Sequence, residues 1–111
     1  MSIDGRVIRG VVCTMDSFVR SFNRLPRNIQ AEAMAAIRST LLLSLDAPPR
    51  ALHLHQLTNR KVSSAVHTNS QVTPWTIHIC KGDQYKASFT FEGGVAYFRL
   101  CGEHDIIDKR P

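Results

Sequence analysis

The chain has 111 residues, of which 43% are hydrophobic and 21% charged. A chain this long hides about two-thirds of its unfolded surface around one core, and its composition excludes disordered, collagen-like and disulfide-scaffold classes. Lys and Arg number 14 against 9 Asp and Glu, a net charge of +5 that favours polyanionic partners.

Cys13, Cys80 and Cys101 are odd in number, far apart and set among apolar neighbours, with no CxxC pair for a zinc ribbon or a thioredoxin-type site. They predict buried, reduced thiols in a cytoplasmic protein. Met1–Arg9 lacks an apolar core and a cleavage site, which predicts no secretory leader, and no apolar run is long enough to span a membrane. No repeat or linker divides the chain, so a single domain over 1–111 is expected.

Gly5–Thr14 is short and β-branched and predicts a first strand, with Thr14 as a helix cap. Phe18, Phe22 and Leu25 then form one stripe of a short helix. Pro26 opens a second helix. Its stripe runs through Ile29, Ala33, Ile37, Leu41 and Leu45, and Asp46-Ala47-Pro48-Pro49 ends it. Arg50–Pro74 has no clear period, with room for a short strand or hairpin turning at Asn69-Ser70. Trp75–Lys81 alternates, Lys81-Gly82-Asp83 reads as a turn, and Tyr85–Glu92 places Ala87, Phe89 and Phe91 opposite Lys86, Ser88 and Thr90. Gly93-Gly94 signals a tight hairpin into Val95–Cys101, with Ala96, Phe98 and Leu100 expected in the core.

Two helices before three strands imply an α+β domain with the helices on one face of the sheet. The other face is then expected to be open and to carry His78, Lys86, Ser88, Thr90, Tyr97 and Arg99. Cations, a ring and an imidazole on one surface suit a phosphodiester strand, although antiparallel sheets routinely show water a polar face. Walker A, GxGxxG, HExxH and GxSxG signatures are absent. His53 and His55 sit two apart, the spacing of a metal pair on a strand, but no Cys or carboxylate lies close in sequence to complete a site.

The ending Gly102-Glu103-His104-Asp105-Ile106-Ile107-Asp108-Lys109, together with His55-Gln56-Leu57, Trp75 at a strand start, Tyr85-Lys86-Ala87 and the Leu25-Pro26 break, resembles the RelE/HigB superfamily of bacterial toxins. The tail is similar to the HigB ending Thr-His-x-x-Tyr-Asp-Lys. The resemblance spans nearly the whole chain through short motifs, with Lys86 where the family commonly has arginine and a longer stretch over 58–74 than in the shortest relatives.

It implies a β-α-α-β-β-β domain, with an N-terminal strand and two helices on one face of a small antiparallel sheet. It also implies a type II toxin–antitoxin toxin that cleaves mRNA on the ribosome without metal or cofactor, and an acidic cognate antitoxin as partner. In such cleavage a base takes the 2′ proton, cations stabilise the phosphorane and an acid protonates the 5′ oxygen. His104 is the first acid–base candidate, with His55 or His78 as the second. Lys86 and Arg99 would stabilise the phosphate. Tyr85 or Tyr97 would stack on a base or orient a water, and Arg60, Lys61, Lys81 and Lys109 would hold RNA. The alternatives are a ParE-like gyrase inhibitor or inactive binding module, supported by lysine in place of the bidentate arginine, and a metal-assisted hydrolase around His53 and His55.

Overall fold

The computed structural model describes residues 6–47, 49–80 and 84–111, so the turn expected at Lys81-Gly82-Asp83 lies outside the described residues. The architecture is α+β. Strand β1 (Gly10–Val12) leads to helices α1 (Asp16–Asn23) and α2 (Arg27–Ser39). A 3₁₀ turn (Arg50–Leu52), three short strands, β2 (His55–Gln56), β3 (Val62–Ser63) and β4 (Gln71–Val72), and three sheet strands, β5 (Trp75–His78), β6 (Tyr85–Glu92) and β7 (Val95–Glu103), follow. Helix α3 (His104–Lys109) comes last. The main sheet has five strands in the order β1-β7-β6-β5-β2, and β3 pairs only with β4. Because β1 runs parallel to β7, the sheet is mixed rather than purely antiparallel.

One face of the sheet meets α1 and α2. Ile77, Ala87, Phe89, Ala96 and Phe98 are fully buried there with Phe18, Ile29, Ala33 and Ile37 from the helices. The Phe89 and Phe98 rings are 5.0 Å apart, and Phe18 meets Phe98 edge-on at 6.2 Å. The cap expected at Thr14 is instead Met15, without a side-chain hydrogen bond. Helix α2 stops at Ser39, six residues before the end of the predicted stripe. Thr40, fully buried, turns its hydroxyl onto the Ile37 carbonyl, and Leu42 takes a left-handed φ of 68°. The segment that follows runs beside residues 6–8: Leu42 N–H donates to the Ile8 carbonyl and Ile8 N–H to the Leu43 carbonyl. Leu45 is buried from this ribbon, while Leu41 and Leu42 are exposed.

The Gly93-Gly94 hairpin forms with φ of 59° and 84°, the two positive angles a type I′ turn requires. Beyond it the strands slip. Phe89 pairs with Phe98, but Ser88 pairs with Leu100, leaving Arg99 as the extra residue of a β-bulge. The bulge reverses side-chain parity. Cys101, not Leu100, continues the core, and Leu100 joins Tyr97 and Arg99 on the second face.

That second face is not open. Lys86 is 6% exposed, and Thr76, Ser88 and Thr90 are fully buried. Two elements cover them: α3 with the residues after it, and the β3–β4 hairpin, which turns through Asn69 at a φ of 67°. Glu92 ties the hairpin down by accepting from Ser64 Oγ, from Ala65 N–H at 2.8 Å and from Thr90 Oγ1 at 2.9 Å. Cys101 is buried, Cys13 and Cys80 half-buried, and all three are free. Among the described residues no helix is long and apolar enough to cross a membrane.

Burial opposes the charge on Glu92, but hydrogen bonds from Ser64, Ala65 and Thr90 and the nearby His67 outweigh it, so the carboxyl sits below its ordinary range. A lowered folded pKa contributes stability above the unfolded value of about 4.3 that is lost as pH falls through the folded one. Thermal melts between pH 6 and 3 should therefore show Glu92→Gln with a shallower loss of stability than the wild type. Leu42→Gly should stabilise by about 1 kcal/mol in denaturant titration, because the left-handed strain outweighs the entropy that glycine adds to the unfolded chain.

Candidate functional site

Two groups of side chains lie on the second face, at opposite ends of α3. The first is built on histidines. His78 ends β5, across the ladder from Lys86 on β6. His53 follows the 3₁₀ turn in a left-handed conformation, φ 47°, and stacks its ring on His78 at 4.4 Å and 17°. His104 opens α3 and meets His78 edge-on at 6.5 Å. Two carboxylates hold the His104 ring: Asp105 Oδ1 is 2.8 Å from Nδ1, and Asp108 Oδ2 is 3.6 Å from Nε2. Asp108, one helical turn beyond His104, also accepts from Lys86 Nζ at 2.9 and 3.2 Å. One carboxylate therefore links the buried ammonium to the imidazole.

This end opens into a cleft of about 450 Å³ lined by Gln84, Glu103, His104 and Asp105. Its charged side chains other than histidine are acidic. The expected role of Lys86 as a phosphate grip meets an obstacle here, because its charge is buried and already answered by Asp108.

The second group is cationic. Arg60, Lys61, Arg99, Lys109 and Arg110 line a cleft of about 340 Å³ with Ser17, Val62, Leu100 and Pro111, and none of the lining side chains is acidic. The β-bulge delivers Arg99 to it. Ser17 Oγ on α1 donates to the Arg99 carbonyl at 2.7 Å, and Arg99 Nη1 donates to the Ser63 carbonyl at 3.0 Å. Arg60 Nε donates to the Asp108 carbonyl at 3.2 Å, so the residues after β2 are clamped against α3. Lys61 Nζ reaches Thr73 Oγ1 at 2.8 Å. Burial pulls the Arg99 guanidinium below its ordinary value, with the charge of Glu92 opposing.

The predicted residues separate accordingly. His78, Lys86 and His104 come together, as do Arg60, Lys61, Arg99 and Lys109. Tyr97 lies on the same face opposite Thr90, half-buried. His55 sits exposed on the edge strand β2, opposite Thr76, and it is His53 whose ring joins His78. Among the described residues no group of three or more His, Cys, Asp or Glu side chains is arranged to hold a metal ion. Tyr85 belongs to the other face, packed against the main core. Lys81 lies outside the described residues. Asp108 and Arg110 went unread in the sequence. The signal for Asp108 is its four-residue spacing from His104, meaningful only once the tail is known to be helical.

Removing one partner of a buried ion pair strands the other charge. Asp108→Ala should cost about 3 kcal/mol in chemical denaturation, and adding Lys86→Met should recover most of it. No family model, curated protein or solved structure matches the chain.

Proposed function

We propose that the protein is a toxin of the RelE/HigB kind, a cytoplasmic endoribonuclease that cuts mRNA on the ribosome by metal-free acid–base chemistry and is neutralised by an acidic antitoxin. The observation that carries this reading is the meeting of His104 and His78 at 6.5 Å, from strands and a helix 26 positions apart in sequence. Two imidazoles at that separation are close enough to serve one phosphodiester that spans the clefts each of them lines, one taking the ribose 2′ proton and the other giving a proton to the 5′ oxygen. Asp105 and Asp108 orient the His104 ring. The order of elements supports the same reading: a strand, two helices, then β5, β6 and β7 in consecutive ladders with β1 beside β7. Two short strands, β3 and β4, fall in the stretch over 58–74, where the chain is longer than the shortest family members.

A second reading, a non-catalytic binding module of the same fold, has its own observation. Lys86 is buried against Asp108 and the cleft beside His104 is acidic, both unfavourable for a phosphorane. Translating ribosomes with a defined mRNA separate the two. The wild type should cut the message to 2′,3′-cyclic phosphate ends, and His104→Ala should cut about 100-fold or more slowly with an unchanged melting temperature. An intact message with the wild type, or full activity in His104→Ala, contradicts the nuclease reading; inhibition of gyrase supercoiling without cleavage favours the second.

A further inference from the structure

We infer that the cationic cleft at the far end of α3 is a preformed phosphate subsite for single-stranded RNA, separate from the histidine end of the same face. The inference deepens the RNA reading above and rests on it for the identity of the ligand. Five cationic side chains from three parts of the chain converge on it: Arg60 and Lys61 from the segment before β3, Arg99 from the bulge, and Lys109 and Arg110 from the end of α3. Ordinary surfaces intersperse the two signs; five like charges around about 340 Å³ repel one another and gain most by sharing an anion.

The central guanidinium is held ready. Arg99 Nη1 is fixed on the Ser63 carbonyl, its own carbonyl is fixed by Ser17, and its Nε is buried without a hydrogen-bond partner. A buried N–H without a partner is costly unless a ligand supplies an acceptor. A phosphate oxygen supplies one once the guanidinium turns its Nε–H toward the cleft, and guanidinium geometry matches phosphate by two parallel bonds. No carboxylate side chain lines the cleft to fill that role from within. The six residues of α3 place this cleft about 9 Å from the His104 end, so a strand crossing α3 presents different phosphates to the two ends.

The test uses the full chain and a fluorescein-labelled, 2′-O-methylated uridine hexamer, which no 2′-hydroxyl chemistry can cleave. Affinity is measured against salt. Lys109→Gln/Arg110→Gln changes two exposed side chains and should weaken binding at least tenfold at low salt. It should also flatten the log–log salt slope by about 1.4, at about 0.7 per lost contact. Arg99→Lys keeps the charge but removes Nε and the fork, and should weaken binding several-fold; if it melts, the exposed pair decides alone. Arg27→Gln/Arg38→Gln removes the same charge from α2 and should bind within twofold of wild type.

Equal weakening by the α2 pair, or an unchanged slope in Lys109→Gln/Arg110→Gln, overturns the subsite. Inorganic phosphate binding the wild type as tightly as the hexamer assigns the cleft to free phosphate and overturns the RNA assignment. Cleavage is not read here. Loss of the nuclease reading leaves a positive binding result standing, and a negative binding result leaves cleavage by the histidines untouched.

Discussion

Lys86 puts an ammonium at 6% exposure in the middle of a sheet face, and the rest of the second layer follows from that charge. A buried lysine requires a carboxylate, and the chain supplies Asp108 by folding its last residues back over β6 and β7. Once α3 lies there, Ile107 is buried beside Gly102, and Ser88 Oγ donates to the Pro111 carbonyl. Thr90 finds Glu92, which in turn holds the β3–β4 hairpin. The face is polar and largely covered, with most of its groups satisfied by covering elements; Thr76 Oγ1 and Arg99 Nε are exceptions.

The functional consequence is a division of labour along α3. Its first residue, His104, stands with His78 and His53 near acidic groups. Its last residue and Arg110 stand with Arg60, Lys61 and Arg99 around a cleft that no Asp or Glu side chain lines, with the charge of Glu92 felt at Arg99 from outside it. Proton transfer needs groups that titrate near neutrality, whereas holding a polyanion needs fixed positive charge, and the two demands conflict if placed on one spot. A strand that crosses α3 meets both. Lys86 sits between them as a structural cation, linking Asp108 to the sheet while Asp108 faces His104.

Much of this was legible in the sequence where local pattern and tertiary packing agree. The alternation in β5 and β6, the Gly93-Gly94 turn and the Phe18–Leu25 stripe all appear as expected. The failures have particular causes. Leu41 and Leu45 fit the helical period of α2, but the buried Thr40 and the left-handed Leu42 end the helix, and Leu45 reaches the core from an extended ribbon. Leu100 kept the strand period until the bulge at Arg99 exchanged it with Cys101. No single-strand pattern reveals a bulge, because it is a property of the pairing. The polar side of β6 read as solvated because its cover comes from residues 60–73 and 104–111, which carry no amphipathic signal strong enough to announce it. Of the candidate site, the residue types were visible and the partition was not: His53 in place of His55 depends on the left-handed turn after Leu52, and Asp108 as the hub depends on the tail being helical.

On the proposed reading, RNA binds the second face where α3 crosses it. Nuclear magnetic resonance of the isotopically labelled protein titrated with a 2′-O-methylated RNA hexamer tests it most directly. Shifts are expected at the His78 and His104 rings and at the Arg99 Nε–H, with the groove of Phe22, Gln30 and Met34 unmoved. Shifts confined to the groove of Phe22, Gln30 and Met34 on the helical side, with both ends of α3 silent, would contradict it.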